Sequence, residues 1–417
     1  MRKLALLIVA AVGLTATSRA SAQPACNSLP DEPAAGPIPK LYIENGDTQE
    51  PLVKTLGKLL VKSAQPLRVI YRNRPTCNIR RDMFSNTPMY AVTDGATART
   101  VRYIHANPDE DSSECTVPAQ GSADPADPIR PIQLGIGATY LTSCTDEVPA
   151  NPDLAVLDGP IQAYGFIAHK NSTQNGITAE EGYLAYGFTE GLGEANPWVV
   201  QALRFKRSNT ASTTLTMAAA IRLTATDLKT GPALSPETSL QLIAEVAKDE
   251  QAEARLGILG MDLYDVNRDK VKVLPFKSFG QRFAYYPDKT STSFDKQNVR
   301  DGHYLPWSPT PYMALKDAAG NIADPNAKRF YELVRGFRTD PDVDGLLAVA
   351  QNGLTPECAM TVTRAGDGAD LEPYDDPTPC GCYYEKNVKS GSTTCTACAN
   401  DGPCGGGKCR FGFCEAK

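Results

Sequence analysis

Arg207 and the hydroxyl side chains that follow it are the part of this sequence best suited to bind an oxyanion. Segment 208–214 is mostly serine and threonine, and it stands between Arg207 and a predicted helix at 217–221. A guanidinium group binds an oxyanion through paired hydrogen bonds, and donors at a helix start add to that attraction. The alternative interpretation is a hydroxyl-rich helix cap beside a surface arginine.

Loop 46–50 is the second candidate for an anion site, because a helix is predicted to begin directly after it, at Pro51. Free backbone N–H groups at a helix start favour an anion. Thr48 adds a hydroxyl group, whereas the carboxylate of Asp47 repels a fully ionised ligand and accepts a hydrogen bond from a protonated one. The alternative interpretation is an ordinary turn between a strand and a helix.

No cluster in the sequence indicates a metal site. Asp340, Asp342 and Asp344 match the first half of a calcium loop, but the twelfth position is Gln351 instead of the bidentate glutamate such loops need. We therefore predict an Asp-rich turn followed by a helix start.

Catalytic motifs are also missing from the sequence. The three histidines, His105, His169 and His303, are far apart, and there is no nucleophile elbow, P-loop or paired-histidine zinc motif. We predict a protein that is not an enzyme and has no cofactor.

The cysteines predict disulfides. Four of the twelve lie in the first third of the chain, at Cys26, Cys77, Cys115 and Cys144, and a bond from Cys115 to Cys144 could tether the loop 107–131. The other eight are Cys358, Cys380, Cys382, Cys395, Cys398, Cys404, Cys409 and Cys414. The alternative for the tail is zinc binding, but an exported chain favours disulfides. Pairing in the tail is left open, since eight cysteines allow about 105 combinations.

The first 22 residues have the parts of a secretory signal peptide, namely the basic Arg2-Lys3, an apolar run at 4–14 and an Ala-x-Ala site ending at Ala22. An uncleaved anchor and a lipoprotein cut before Cys26 are the alternatives. We predict a periplasmic or secreted protein that does not span a membrane. The net charge of −6 and the lack of basic clusters argue against nucleic-acid binding.

Strands and helices alternate along the middle of the chain. Strand 41–43, a helix from Pro51 and strand 67–71 open the series, which is typical of an α/β sheet. Thr178 and Glu181 predict a capping box, and Ser235-Pro236 predicts another helix start. The last stretch, 379–417, has almost no aliphatic residues and must be held by cross-links.

Six segments, in one order, resemble the phosphate-type substrate-binding proteins of ABC uptake systems. They are LYIENGDTQEPL from Leu41, the segment from Ile161 to Trp198, RFKRSNTASTT from Arg204, LGILGMDLYDVNRDKVKVLPF from Leu256, NVRDGHYLPWSPTPYMAL from Asn298 and GLTPE from Gly353. The Cys-rich tail resembles tails of secreted myxobacterial proteins.

The resemblance implies the two-lobed α/β fold of type 2 periplasmic binding proteins, with a small disulfide-rich C-terminal module. The implied parts are a signal peptide 1–22, a linker 23–38, lobe I at 39–163 and 300–356, lobe II at 164–299, a linker 357–378 and the module 379–417.

The implied ligand set is Asp47, Thr48, Arg207 and Thr213. Asp47 stands where the family has serine, and Ala211-Ser212 replaces its Ser-Gly. The expected function is the binding of an oxyanion or another small solute between the lobes, with an ABC permease or an envelope protein as partner. The alternative is a surface or matrix interaction protein that kept the fold and lost the solute site.

Overall fold

A computed structural model describes residues 23–34, 36–94, 97–125, 127–231 and 239–415. The expected signal peptide 1–22 and the expected helix start at Ser235-Pro236 lie outside these residues. Among the described residues no helix is long and apolar enough to cross a bilayer.

The strands are β1 (Lys40–Asn45), β2 (Arg68–Asn73), β3 (Thr93–Asp94), β4 (Thr97–Ala98), β5 (Val101–Tyr103), β6 (Ser113–Cys115), β7 (Leu134–Ile136), β8 (Leu154–His169), β9 (Ile177–Thr178), β10 (Arg204–Phe205), β11 (Leu256–Gly260), β12 (Val271–Val273), β13 (Phe276–Lys277), β14 (Trp307–Leu315), β15 (Val362–Thr363), β16 (Glu372–Pro373), β17 (Lys408–Arg410) and β18 (Phe413–Glu415). The helices are α1 (Glu50–Lys62), α2 (Thr76–Phe84), α3 (Ala179–Gly187), α4 (Ser212–Ala220), α5 (Ser239–Val246), α6 (Met261–Asp265), α7 (Gln297–Arg300), α8 (Pro325–Arg335), α9 (Gly345–Gln351) and α10 (Gly381–Asn387).

One long strand, β8, connects two sheet regions. The main sheet has the order β10-β11-β8-β14-β7-β1-β2-β5-β6, and β12 also pairs with β8. The first part of β8, from Leu154 to Ala163, pairs with β14, and the last part, from Tyr164 to His169, pairs with β11 and β12. β8 therefore passes from lobe I into lobe II, and the chain returns through the segment before β14.

Each lobe has its own apolar core. The core of lobe I includes Leu56 of α1 and Val69 of β2, and the core of lobe II includes Phe166 and Trp198. The predicted fold class, two α/β lobes followed by a small disulfide-rich module, is confirmed.

Local sequence signals explain where two helices begin. α1 has Pro51 in its first turn, where no intrahelical N–H is needed, and buries Leu52 and Leu56. The predicted capping box of α3 is present, since Glu181 N donates to Thr178 Oγ1 (3.0 Å) and Thr178 N donates to the Glu181 carboxylate (2.7 Å).

All twelve cysteines form disulfides in the structure: Cys26–Cys115, Cys77–Cys144, Cys358–Cys380, Cys382–Cys395, Cys398–Cys409 and Cys404–Cys414. The expected Cys115–Cys144 bond was wrong. The actual bond, Cys26–Cys115, joins the N-terminal segment to β6. In that N-terminal segment Leu29 is buried, and Asp31 pairs with Arg68 of β2 at 2.6 Å. That pairing was missed because residues 23–38 show no apolar periodicity.

The C-terminal module packs against the body of the protein. Tyr384 of α10 is fully buried beside Leu346 and Ala350 of α9. Arg300 of α7 pairs with Glu385 at 2.9 Å. The module is therefore fixed close to the segment in which the chain returns to lobe I.

Candidate interlobe binding site

Asp47 and Arg207 meet across the two lobes, although 160 residues separate them in the chain. Asp47 starts the single 3-10 turn Asp47–Gln49 that follows β1, and Arg207 follows β10. Arg207 Nη1 donates to Asp47 Oδ2 and to Ser239 Oγ (2.6 Å), and Ser239 Oγ donates to Asp47 Oδ2 (3.2 Å). Two of the predicted ligand residues are thus brought together as an ion pair.

The environment of Asp47 keeps its carboxylate ionised. Burial alone would raise its pKa, but the charge and hydrogen bond of Arg207 and the hydroxyl of Ser239 lower the pKa below the usual value. The side chain of Arg207 is 11 % exposed and that of Asp47 is 34 % exposed. The pair therefore lies at the edge of the lobe contact, within reach of solvent.

The two predicted threonines lie on opposite lobes. Thr48 follows Asp47 and is 1 % exposed. Thr213 is 2 % exposed in the first turn of α4, one turn before Thr216, whose Oγ1 lies 2.8 Å from Thr139 Oγ1 of lobe I. Thr213 therefore belongs to the helix of lobe II that touches lobe I.

A buried polar cluster of Gln49, Gln162 and Asp262 adjoins this pair, and sequence reasoning missed it. Gln49 Nε2 donates to Gln162 Oε1 (3.2 Å), and Gln162 Nε2 donates to Asp262 Oδ1 (2.9 Å). A Cβ atom on Gly260 would lie 2.5 Å from Asp262 Oδ1, 3.1 Å from Thr48 Cγ2 and 3.3 Å from Gln162 Nε2. Glycine at position 260 therefore leaves room for three side chains from three separate segments.

Asp262 is a buried carboxyl group whose surroundings favour its neutral form. Burial, aided by the nearby charge of Asp47, raises its pKa to about 8. A protonated carboxyl group donates a hydrogen bond, which an ionised one does not. The signal that could have found it is an acidic residue placed directly after the apolar strand β11.

Several buried polar atoms of the cleft have no hydrogen-bond partner among the described residues. They are Thr48 Oγ1, Gln49 Oε1, Arg207 Nε and Asp262 Oδ2. Buried polar atoms are nearly always hydrogen-bonded in folded proteins, to water if not to protein. Three of these atoms belong to Thr48, Gln49 and Asp262, which meet around Gln162 and Gly260.

The lobes are in direct contact in this structure. The hydroxyl of Tyr164 donates to Ala138 O of lobe I. The Cys77–Cys144 disulfide of lobe I packs against Leu215 and Ala225 of lobe II. The arrangement is therefore a closed one, with the two lobes in direct contact.

The Asp-rich turn is as predicted. Asp340 accepts hydrogen bonds from Arg329 (2.8 Å) and Arg338 (2.5 Å), and Asp342 accepts one from Ala64 N (2.7 Å). Asp344 caps α9 by accepting from Leu347 N at 2.9 Å. These carboxylates stabilise the turn and the helix start.

No protein-family model matches the chain, and no curated protein matches it. Among solved structures, the chain is similar to an ABC-type phosphate transport receptor from Vibrio cholerae (12 % identity, TM-score 0.45, 76 % of this chain and 99 % of that one). It is also similar to PstS from Borrelia burgdorferi (12 %, 0.40, 76 % and 98 %) and to a regulatory domain, CcmR from Synechocystis, in complex with 2-PG (10 %, 0.39, 72 % and 98 %). The strand order, not these likenesses, defines the fold.

Proposed function

We propose that this chain is an exported solute-binding protein that takes a small oxyanion in the interlobe cleft, with Arg207 as the main anion-binding residue. The observation that carries the proposal is the position of Arg207. Its guanidinium projects from lobe II and forms an ion pair with Asp47 of lobe I. The guanidinium thus already binds one carboxylate at the contact between the lobes, which places it to bind an oxyanion beside Asp47.

Asp47 sets which oxyanions are accepted. Because Arg207 keeps the pKa of Asp47 low, its carboxylate remains an acceptor at neutral pH. An anion that still carries a proton, such as hydrogen phosphate, can donate a hydrogen bond to it. A fully ionised anion such as sulfate meets like-charge repulsion. Thr48 and Thr213 are the proposed hydroxyl donors on the two sides.

The test is ligand-induced stabilisation of the full mature chain. Phosphate at about a hundredfold excess over Kd would stabilise the folded protein by roughly 2.7 kcal/mol, measured by thermal shift and calorimetry. Arg207→Gln should abolish this shift. The matched control is Arg282→Gln, an exposed arginine of the same lobe, which should leave the shift intact.

Asp47→Asn provides the second arm. It should reduce the preference for phosphate over sulfate, because the like charge that rejects sulfate is gone. If neither oxyanion shifts the wild-type protein, or if Arg207→Gln binds as well as wild type, the proposed site is wrong.

A second candidate function, a surface or envelope interaction protein with no solute, is favoured by a specific observation. Arg207 already has an anionic partner within the chain, and Thr139 and Thr216 already bond to each other across the lobes. In that case the wild-type protein should bind no oxyanion. Asp47→Asn, which removes the charge that neutralises the Arg207 guanidinium, should gain weak anion binding. That pattern would replace the first proposal by the second.

A further inference from the structure

Residues 361–374, which we call the latch hairpin, connect the two-lobed body to the C-terminal module. The hairpin consists of β15, a tip at 364–371 and β16, paired through Val362 with Pro373 and Thr363 with Glu372. The sequence predicted a linker here, since the segment is rich in aspartate, glycine and proline. In the structure the base of the hairpin contacts lobe II and its tip contacts lobe I.

The base of the latch hairpin packs on the apolar core of lobe II and on the return segment 300–306, whose Tyr304 belongs to that core. The backbone N–H and the hydroxyl of Thr361 both donate to Arg300 O at 3.0 Å. Val362 and Leu371 cover Gly302, where an added Cβ would lie 2.7 Å from Leu371 Cδ1. These two side chains also pack against the core of lobe II.

The tip of the latch hairpin is bound to lobe I. Asp367 Oδ2 accepts hydrogen bonds from Ser143 Oγ (2.5 Å) and Thr139 Oγ1 (3.4 Å). The hydroxyl of Tyr140 donates to Arg364 O at 3.1 Å. The loop that supplies these three donors is held to α2 by the disulfide at Cys144. The tip is therefore hydrogen-bonded to a loop of lobe I that a disulfide holds in place.

The contact between Asp367 and lobe I lies where the two lobes meet. Thr139, which contacts Asp367, is also the residue that touches Thr216 of lobe II. On its other side the tip borders a cavity of about 480 Å³ lined in part by Arg222, Phe279 and Pro306. The tip is held by its polar contacts to lobe I and by Arg364, whose Nη2 donates to Trp307 O and whose guanidinium lies 4.4 Å from the centroid of the Trp307 ring.

The latch hairpin is also closed at its ends by a covalent bond. Cys358–Cys380 joins positions 22 residues apart, just outside the two strands. A cross-link of this kind limits the conformations that a released segment can explore. When the hydrogen bonds between the tip and lobe I break, the tip therefore stays close to loop 139–143 and can form them again.

We propose that the latch hairpin holds the two lobes closed and thereby slows solute entry into the cleft, with Asp367 as the contact that must break. Separation of the lobes moves loop 139–143 away from a hairpin rooted on lobe II, so the Asp367 hydrogen bonds cannot survive it. The effect on solute entry rests on the function proposed above; the restraint on the lobes does not.

Hydrogen exchange of the full, oxidised chain without any ligand tests the restraint. Asp367→Asn weakens the contact from the hairpin side and Ser143→Ala weakens it from the lobe I side. Each should speed amide exchange at 137–143 and 204–216 roughly tenfold, as expected for loss of a hydrogen bond to a charged group. Asp370→Asn is the matched control, because Asp370 is an exposed carboxylate on the same tip, and it should change nothing.

Unchanged exchange at both cleft segments in both variants would overturn the latch, and so would an increase confined to 361–374. The association rate of phosphate, followed by stopped flow, forms the second arm and should rise in Asp367→Asn. If the wild-type protein binds no oxyanion while the exchange result holds, the proposed solute is wrong and the latch stands.

Discussion

Lobe II and the C-terminal module are stabilised in opposite ways. Lobe II, residues 164–299, contains no cysteine and buries a large apolar cluster around Phe166 and Trp198. The module, residues 380–415, contains seven cysteines, and its few buried side chains, such as Tyr384 and Val388, pack against the body. A long segment can bury enough apolar surface to fold, whereas a stretch of fewer than about 40 residues usually needs cross-links.

The largest effect is expected in lobe II. Phe166 is fully buried and its ring lies 5.7 Å from that of Phe276 and 5.9 Å from that of Tyr186. Phe166→Ala should lower the free energy of unfolding by about 3–5 kcal/mol, because it leaves a cavity in a packed core. Denaturant titration followed by tryptophan fluorescence measures this. The control is Leu240→Ala, at a residue 61 % exposed, which should change stability by less than about 0.5 kcal/mol.

The corresponding change in the module is removal of a disulfide. Cys398–Cys409 closes a short loop, with a sequence separation of 11. The double substitution Cys398→Ser with Cys409→Ser should destabilise the module by about 3 kcal/mol through the entropy regained by its unfolded form. Proteolysis should then cut within 380–415 while the denaturation midpoint of the lobes stays the same. An equal fall in that midpoint would contradict the comparison, since body and module would then unfold as one unit.

Asp262 is a buried carboxyl group of the body, and it makes the stability of the body depend on pH. Its pKa is raised in the folded protein to about 8. Above the unfolded pKa the folded state therefore holds one more proton than the unfolded state, so stability is fully present in acid and falls as the pH rises towards about 8. The slope is about 1.4 kcal/mol per pH unit for one proton.

The measurement compares Asp262→Asn with wild type between pH 5 and pH 7. The asparagine variant lacks this titration, so its stability relative to wild type should rise by about 2.7 kcal/mol over that interval. Asp269→Asn, at an exposed position of the same lobe, should show the wild-type slope. Parallel curves for wild type and Asp262→Asn would show that Asp262 is ionised in the folded protein.

The sequence predicts those parts of the structure that depend on near neighbours. Pro51 lies in the first turn of α1, Thr178 and Glu181 form a capping box, and Asp344 caps α9. Each is a contact within about one helical turn, so the responsible residues stand together in the chain. These local signals predict α/β elements, whereas the two-lobed arrangement was implied by the resemblance of six segments in one order.

The rest of the site depends on contacts between distant segments. Gln162 is 113 residues from Gln49 and 100 residues from Asp262, and no spacing rule joins such positions. The grip of Asp367 on Ser143 spans 224 residues. In the sequence, Asp367 cannot be told from an ordinary acidic loop residue, because its partner lies so far away in the chain.

The smallest effect is expected where the C-terminal module meets the body of the protein. The Arg300–Glu385 pair joins module to body, and its side chains are 8 % and 28 % exposed. Glu385→Gln should weaken docking of the module by roughly 0.5–1 kcal/mol, since the pair is partly screened by water. Hydrogen exchange at 381–388 should rise by a few fold, with no change in lobe II. Lys386→Gln, next to it on α10, is the control, and an equal rise there would show that loss of any charge on α10 loosens the module.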